Sequence, residues 1–461
     1  MSLDDLIERE ERVFLARQPA SAARTTRAKG VLAGGATSSW MISRPGTVWV
    51  SHGKGSRIWD VDGTEYVDLH GGYGVMLVGH AHPAIADAVQ RRIGLGSHFA
   101  QPTDDAVVVA ENLADRFGLP LWRFGNSGTE ATMDAVHLMR AITGRDRIVK
   151  VEGSYHGHHD AVMVSMFHGF DDVGPYERPA SVAAGAGIPQ AVIDLTTVVP
   201  FNDLDVLDRV LTDLAGQIAG VIIEPMMMNA GIIPPLPGYL EGVRALTRKH
   251  GVLLTFDEVK TGLTTGPAGV TGLSGVTPDI VCLAKALAGG LPCGAIGGTY
   301  EVMSAIADGR YDQVGTFNGN PLTMAAARAT LTDVLTPAAY AHLDALGEQM
   351  MTGALAACVE NGVAAYGHRF GAKGCLVFHP TPVRQYRDFL RIDTELSHCH
   401  WLFQHNGGVF LPPWGKSEQW TLSVQHTGRD ARRFVANVER FAEAVSALDE
   451  RQSARAEHSY A

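Results

Sequence analysis

A lysine and an aspartate follow two apolar runs of the chain and could together act on a carbonyl group. Lys285 comes just after Ile280–Leu283, and Asp257 comes just after Val252–Phe256. A buried lysine is costly when charged, so its pKa tends to fall, and the neutral amine attacks aldehydes to form a Schiff base. The carboxylate could hold a metal, a ribose or a protonated ring nitrogen, or could simply cap a helix. An isolated lysine more often packs its stem and extends its ammonium group to solvent.

A small polar loop offers a binding place for an anion. Residues 125–131 read GNSGTEA and stand between the apolar run Leu121–Phe124 and a segment with helical spacing. The free N–H groups at the start of a helix attract negative charge, and the hydroxyls of Ser127 and Thr129 could add donors. An ordinary helix cap with glycine for a turn explains the same residues equally well.

Two further segments carry residues that could contact a ligand. Residues 155–160 read YHGHHD, a spacing that is not typical of metal ligands, so we expect no metal site; Tyr155 could instead stack on an aromatic ring. Residues 315–322 read GTFNGNPL and indicate a turn-rich loop before a helix. That loop is either a second phosphate-contacting loop or a plain connection.

Composition limits the class of protein. The chain has 461 residues, of which 46% are hydrophobic, and a net charge of −11 without a Lys/Arg block, so we expect no nucleic-acid partner. Five scattered cysteines fit a reducing cytoplasm rather than a disulfide framework. The first residues lack the apolar core of a secretory signal, and no run of 18 apolar residues occurs, so we expect a cytoplasmic protein with no membrane span.

The spacing of apolar residues indicates an α/β fold. Between residues 70 and 330, short continuous apolar runs alternate with segments of helical length, which predicts a mostly parallel sheet flanked by helices. The runs are Leu121–Phe124, Ile148–Val151, Ala161–Val164, Val221–Ile223, Val252–Phe256 and Ile280–Leu283. Near the end, Thr427 and Asp430 form a capping-box-like start for a last helix.

The combination and order of these segments resembles the class-III (fold type I) aminotransferases that depend on pyridoxal 5'-phosphate (PLP), with a particular likeness to the glutamate-1-semialdehyde aminomutase branch. The likeness runs from about residue 30 to about residue 445. The segments that carry it are NSGTEA at 126–131, YHGH at 155–158, EPMMMNAG at 224–231, FDEV at 256–259, KALAGGLPCGA at 285–295 and GTFNGNP at 315–321.

The resemblance implies roles for individual residues. Lys285 would form the Schiff base with PLP and shuttle the proton, Asp257 would pair with the ring nitrogen, and Val259 and Tyr155 would lie against the two ring faces. The catalytic residues implied are Lys285, Asp257 and Tyr155. The cofactor-binding residues implied are Ser127, Gly128, Thr129, Tyr155, His156, Glu224, Asn229, Asp257, Val259, Lys285, Gly315 and Thr316.

The resemblance also implies the architecture and the assembly. Residues 71–330 would form the large PLP-binding domain, while residues 1–70 and 331–461 would together form a smaller α+β domain. The protein would be a homodimer in which Thr316 reaches the PLP phosphate of the neighbouring subunit. Its other partners would be a small-molecule amino donor and a carbonyl acceptor.

The likeness departs from the aminomutases at the substrate end. Those enzymes carry an arginine for the substrate carboxylate shortly after an N-terminal Gly-Gly pair, and here Met41 occupies that place. Methionine cannot make the bidentate contact of an arginine. Arg44 or Lys416 could receive a carboxylate instead, and Trp40 and Tyr73 could wall an apolar pocket.

We therefore predict an aminotransferase that moves an amino group from an amine or amino acid to a keto or aldehyde acceptor. The alternative is a glutamate-1-semialdehyde 2,1-aminomutase, which returns the amino group to the same molecule. A nicotinamide-dependent dehydrogenase is disfavoured because the chain has no G-x-G-x-x-G motif. A non-catalytic PLP-binding protein is disfavoured because both Lys285 and Asp257 are present.

Overall fold

Three sheets and sixteen α-helices make up the part of the chain that the computed structural model describes, residues 2–413 and 419–459. The strands are β1 (Val50–Lys54), β2 (Arg57–Asp60), β3 (Glu65–Asp68), β4 (Leu121–Gly125), β5 (Arg147–Val151), β6 (Thr196–Val199), β7 (Ile218–Ile223), β8 (Leu253–Asp257), β9 (Ile280–Leu283), β10 (Gly294–Gly298), β11 (Tyr366–Phe370), β12 (Lys373–Val377), β13 (Val409–Phe410) and β14 (Gln419–Thr421). The helices are α1 (Leu3–Ala16), α2 (Pro19–Ala28), α3 (Gly71–Gly74), α4 (Pro83–Ile93), α5 (Asp104–Phe117), α6 (Gly128–Thr143), α7 (Gln190–Ile193), α8 (Leu204–Asp213), α9 (Tyr239–Lys249), α10 (Gly269–Ser274), α11 (Tyr300–Ala307), α12 (Pro321–Ala329), α13 (Pro337–Glu360), α14 (Tyr386–Phe389), α15 (Thr394–Asn406) and α16 (Gly428–Ser459). Short 3-10 turns cover Ala33–Gly35, Ser39–Met41, Phe170–Asp172 and Lys285–Ala288, and Thr330–Val334 is a π-helical segment.

The central sheet has seven strands in the order β4-β10-β9-β8-β7-β5-β6. β10 runs antiparallel to both of its neighbours, and the pairs β9–β8, β8–β7, β7–β5 and β5–β6 are parallel. Every residue of β7, β9 and β10 is buried, as expected for strands covered by helices on both faces. All strands except β10 therefore end at one edge of the sheet, where ligands bind in folds of this kind.

The central sheet differs from the prediction in three places, because one predicted strand is absent and β6 and β10 were not predicted. The prediction of a strand at Ala161–Val164 is wrong, since the segment forms turns with a single isolated bridge between Val164 and Ala183. Its buried residues Ala161, Val162 and Val164 instead belong to the core clusters formed with α6 and with strands β5, β6 and β7. β10 was missed because its sequence is GAIGG; its glycines are needed because a Cβ at Gly297 would lie 2.5 Å from the Trp122 ring.

The two ends of the chain meet in a second sheet. Its order is β1-β2-β3-β13, and β13 pairs in parallel with β3 through Val409 and Phe410. Helix α1 packs against α15 beside this sheet. A third sheet, β11-β12-β14, is antiparallel throughout. The domain boundaries at residues 70 and 330 stay a prediction.

The last helix starts at a well-bonded cap. The side chain of Asp430 accepts hydrogen bonds from the N–H of Thr427 at 2.9 Å and from its hydroxyl at 3.3 Å, and Arg57 of β2 forms an ion pair with it at 2.6 Å. Within residues 2–413 and 419–459, no helix is long and apolar enough to cross a membrane.

His405 ties the N-terminal helix to the C-terminal part of the fold. Its ring is buried and lies 4.6 Å from Phe14, 4.7 Å from Tyr66 and 5.2 Å from Trp401, measured between ring centroids. Burial lowers the pKa of His405 to about 3, with a smaller contribution from the positive charge of Arg17. The folded protein therefore keeps this imidazole neutral at pH values where an unfolded chain would protonate it.

This difference predicts acid-sensitive stability. Because the folded pKa of His405 lies below its unfolded value of about 6.5, the unfolded state binds the extra proton, and His405 alone lowers the free energy of unfolding by up to about 1.4 kcal/mol per pH unit below pH 6.5. We expect His405→Phe to reduce the loss of stability between pH 7.5 and pH 5, measured by urea unfolding. At pH 7.5 and above, the imidazole is neutral in both the folded and the unfolded protein. A difference in the free energy of unfolding between His405→Phe and the unmodified protein at that pH therefore measures packing effects alone. Equal pH dependence in both proteins would contradict the assignment.

Candidate active site

A cavity of about 300 Å³ opens at the carboxyl edge of the central sheet. Asp257 and Lys285 both line it, and they come from neighbouring strands, since Asp257 is the register partner of Cys282 in the β8–β9 ladder. The pairing places the carboxylate and the lysine on the same edge although the chain separates them by a helix and several turns. The structure thus brings together the two residues from which the sequence argument started.

The start of helix α6 forms one wall of the cavity. Ser127 caps the helix by accepting a hydrogen bond from the N–H of Glu130 at 3.2 Å, and Gly128 and Thr129 provide first-turn N–H groups that have no partner within the helix. A Cβ at Gly128 would lie 2.8 Å from a methyl group of Val259, so only glycine allows this approach of helix and strand end. The wall is suited to an anion such as a phosphate.

Asp257 is held by two donors. His156 Nδ1 lies 2.8 Å from Asp257 Oδ2, and the backbone N–H of Val259 donates to Asp257 Oδ1 at 3.0 Å. The His156 side chain is fully buried, and its Nε2 has no hydrogen-bond partner among the described residues. The carboxylate is therefore fixed in orientation at the base of the cavity.

Lys285 occupies a strained and desolvated position. Its backbone φ is +45°, in the left-handed region that non-glycine residues rarely adopt and that often marks functional sites. Burial lowers the pKa of Lys285, while the negative charges of Asp257 and Glu224 partly oppose that shift. A lower pKa increases the fraction of neutral, nucleophilic amine.

Glu224 organises the loops beside the lysine. Its carboxylate accepts hydrogen bonds from the N–H of Tyr155 at 2.9 Å, the N–H of Met228 at 2.9 Å and the Asn229 side chain at 3.0 Å. Glu224, Asn229 and Tyr155 all line the cavity. One buried carboxylate thus joins the segments that follow β5 and β7.

Aromatic side chains gather around Tyr155. Trp40 lies 6.0 Å from Tyr155 and 5.6 Å from Phe167 between ring centroids, and Tyr73 is 6.0 Å from Trp40. The hydroxyl of Tyr73 donates to the backbone oxygen of Trp40 at 3.0 Å. We call Trp40, Tyr73, Tyr155 and Phe167 the aromatic group; it sets an apolar surface next to the cavity and includes both residues predicted to wall a pocket.

Other predicted substrate and cofactor residues lie apart from the cavity wall. Met41 is 53% exposed, and Arg44 forms ion pairs with Glu11 at 2.8 Å and Glu395 at 3.0 Å. Lys416 lies outside the described residues.

The loop that carries Gly315 and Thr316 is exposed in the single chain. It is attached to the cavity through Asn126, whose side chain donates to Asn318 Oδ1 at 3.1 Å. Gly315 and Thr316 do not line the cavity.

Sequence reasoning missed Lys260, which also lines the cavity. It comes three residues after Asp257, at the exit of a buried strand, and this position was the signal that could have drawn attention to it. Among residues 2–413 and 419–448, no group of three or more His, Cys, Asp or Glu side chains is arranged to hold a metal ion.

Known structures share this arrangement of strands and helices. The structure of an omega-transaminase from Sphaerobacter thermophilus matches with a TM-score of 0.88 at 34% identity, over 93% of this chain and 99% of that chain. A beta-phenylalanine aminotransferase from Variovorax paradoxus matches with a TM-score of 0.86 at 29% identity, over 97% of this chain and 99% of that chain. The fold is that of the fold type I PLP transferases, as the sequence motifs predicted.

Sequence comparison then defines the family. The model of the class-III aminotransferases matches residues 41–363. A glutamate-1-semialdehyde 2,1-aminomutase 2 from Brevibacillus brevis is 37% identical over 390 residues, which cover 84% of this chain and 89% of that protein. The chain belongs to the class-III aminotransferase family, a family of PLP-dependent enzymes, and the predicted family is confirmed.

The contact between β10 and the anion-binding wall gives a testable consequence. A Cβ at Gly294 would lie 2.2 Å from the backbone oxygen of Ser127, and backbone cannot give way as a flexible side chain can. We expect Gly294→Ala to lower the free energy of unfolding by about 1–3 kcal/mol and to weaken PLP binding, because the start of α6 must shift. Thermal unfolding and a PLP titration measure the two effects.

Gly266→Ala is the matched control for that variant. A Cβ there would meet nothing within 4 Å, so stability and PLP affinity should stay close to those of the unmodified protein. Equal behaviour of the two variants would show that β10 does not constrain the helix start.

Proposed function

We propose that the cavity binds PLP and that the protein is an aminotransferase in which Lys285 carries the cofactor. The observation that carries this proposal is the meeting of Asp257 and Lys285, from adjacent strands, with the start of α6 around one cavity. An anion site, a carboxylate and a nucleophilic amine are the groups that a phosphorylated pyridine aldehyde requires.

The chemistry of the cavity residues fits this cofactor. Gly128 and Thr129 would hold the phosphate at the helix start, with Ser127 fixing the turn. Asp257 would pair with the ring nitrogen, and the unpartnered Nε2 of His156 leaves a polar atom close to the same region. Val259, which lies against Gly128, would cover one ring face.

Tyr155 would stack on the other face of the ring, at the border with the aromatic group. Glu224 and Asn229 would line the side of the ring, since both face the cavity and are bonded to each other at 3.0 Å. When bound, PLP supplies an electron-accepting ring for the bonds that break at the substrate carbon.

The protein groups then have defined tasks. Asp257, oriented by His156, keeps a proton on the ring nitrogen, because a carboxylate at that atom favours its charged form. Lys285 Nζ, whose pKa burial lowers, would take the proton from the carbon that bears the substrate amino group, and in the reverse half-reaction would deliver a proton to the acceptor carbon. The aromatic group limits the access of water from one side.

We infer transfer between two molecules, with an amine or amino acid as donor and a keto or aldehyde compound as acceptor. Met41 supports this over the aminomutase reaction, since an exposed thioether offers no cation for a substrate carboxylate. The aminomutase reaction is the second candidate, favoured by the 37% identity to an enzyme of that name. The need for an added acceptor separates the two.

We also propose a homodimer in which the exposed loop with Gly315 and Thr316 reaches the phosphate of the neighbouring subunit. The same loop exposes Val314 at 83% and Phe317 at 59%, which is a large apolar surface for a solvent-facing turn and supports burial against a second copy. A cytoplasmic location stays a prediction; it is supported by the odd number and wide scatter of the five cysteines.

An absorption titration tests the proposed function. The purified protein mixed with PLP should show the visible band of the lysine-bound cofactor, and amino donors without acceptor should bleach it with release of a keto or aldehyde product. Lys285→Ala should lower turnover by about 10³-fold or more and leave PLP removable by dialysis without reduction. Lys249→Ala, at an exposed lysine paired with Asp208, is the control.

The outcomes of that titration are distinct. A band that bleaches when a donor is added without an acceptor supports the two-molecule reaction. A band that ignores ordinary donors supports the aminomutase reaction. The absence of any band with added PLP would overturn the proposal, as would near-normal turnover in Lys285→Ala.

Asp257 is tested by a change that keeps its shape. Asp257→Asn retains a polar side chain but cannot stabilise the protonated ring nitrogen, so we expect PLP binding to persist while proton removal from the substrate slows by about 10²-fold or more. Exchange of the substrate hydrogen with solvent measures that step directly. Asp208→Asn, an exposed carboxylate, is the control; equal rates in the two variants would mean that Asp257 does not hold the ring nitrogen.

A further inference from the structure

Three lysine side chains converge on one side of the cavity. Around the point where a Cβ of Gly74 would lie, Lys285 Cδ is 3.8 Å away, Lys260 Cγ is 3.9 Å away and Lys373 Nζ is 3.9 Å away. The φ of Gly74 is +102°, a backbone conformation that residues with a side chain rarely adopt. The mechanism above uses only Lys285.

The ammonium groups of Lys260 and Lys373 donate hydrogen bonds to neutral groups. Lys260 Nζ donates to the backbone oxygen of Met228 and to Asn229 Oδ1, both at 3.1 Å. Lys373 Nζ donates to the hydroxyl of Thr421 at 2.9 Å. Within residues 2–413 and 419–448, neither ammonium group has a carboxylate within 4.0 Å.

The nearby carboxylates are already engaged elsewhere. Glu224 is bonded to Tyr155, Met228 and Asn229, and Asp257 is bonded to His156 and to the N–H of Val259 (distances above). Buried ammonium groups without a counter-ion are costly, and the cost appears in their proton affinity. Burial, reinforced by the charge of Lys285, lowers the pKa of Lys260 to about 7, and burial together with the charges of Lys260 and Lys285 lowers the pKa of Lys373 well below its usual value.

An arriving anion would supply the missing negative charge. Each ammonium group has at least one N–H left after the contacts described, and a carboxylate accepts charge-assisted hydrogen bonds on both oxygens. Arg44, the cation that the sequence offered for this purpose, is paired with Glu11 and Glu395. Lys260, which lines the cavity, is therefore better placed than Arg44 to bind a substrate carboxylate.

We propose that Lys260, supported by Lys373, forms a subsite that binds a carboxylate of the amino donor or of the acceptor. The proposal rests on the aminotransferase function and names part of its substrate class, a carboxylic acid that carries an amino or carbonyl group. The carboxylate enters between Lys260 and the cofactor-bearing Lys285, on the side of Gly74. Lys373 contributes its charge from behind and lies outside the cavity wall.

Paired donors test the subsite. Alanine and 2-aminopropane differ only by a methyl group in place of the carboxylate, as do 3-aminobutanoate and 2-aminobutane. For at least one pair, the ratio of kcat/KM for acid over amine should fall about tenfold or more in Lys260→Met, and by a smaller factor in Lys373→Met. Methionine keeps the volume and removes a buried charge, and Lys249→Met, at an exposed lysine, should leave the ratio unchanged.

A binding measurement keeps the test independent of turnover and of the variants. Butyrate and its neutral analogue butyramide are titrated by calorimetry into the unmodified protein loaded with PLP. Butyrate should bind at least about tenfold more tightly than butyramide, and Lys260→Met should remove that preference.

The outcomes separate this inference from the proposed function. Loss of the visible PLP band in the unmodified protein would defeat the aminotransferase assignment itself. A normal band and normal transamination, with equal affinity for butyrate and butyramide, would overturn the subsite alone. An unchanged acid-to-amine ratio in Lys260→Met for both pairs would overturn it too.

Discussion

Buried charge at the carboxyl edge of the central sheet is the constraint on which the rest of the cavity depends. Asp257 and Glu224 leave neighbouring strands into a space walled off from bulk water, where an unpaired carboxylate would cost several kcal/mol. Each is instead surrounded by donors drawn from other segments: His156 for the first, Tyr155 and Asn229 for the second. The loops after β5 and β7 are therefore fixed to the strands by the same contacts that satisfy the two carboxylates.

The lysines near the cavity differ from its carboxylates in their hydrogen-bond partners. Glu224 has three donors, but Lys260 has only neutral acceptors and Lys373 only a hydroxyl. The start of α6 adds the positive end of a helix dipole to the cavity wall. The cavity thus presents groups that favour anions both at the helix start and at Lys260.

Sequence reasoning reached the parts of the site that depend on one strand and its exit. Asp257 and Lys285 could be predicted because a continuous apolar run followed by a polar residue identifies the edge of a buried parallel sheet. The approach of Lys373 to Lys260 and Lys285 could not, since it depends on how the third sheet packs against Gly74. The ion pair of Arg44 with Glu395 could not be predicted either, since it joins residues far apart in the chain. Strand β10 could not be recognised from the sequence, because close packing requires glycine at positions where strands usually carry β-branched or aromatic residues.

The difference between moving an amino group to another molecule and returning it to the same one lies outside the reacting atoms. Both reactions need the aspartate, the lysine and the anion site, but only the aminomutase must retain its substrate after the amino group has left. Retention depends on contacts remote from the reacting carbon. Of the residues proposed for such contacts here, Lys260 follows β8 and the others come from the two ends of the chain. Trp40 and Tyr73 precede the central sheet, and Lys373 follows it. Under the proposed function, substrate choice therefore depends on how the terminal segments and the exit of β8 meet at the sheet edge.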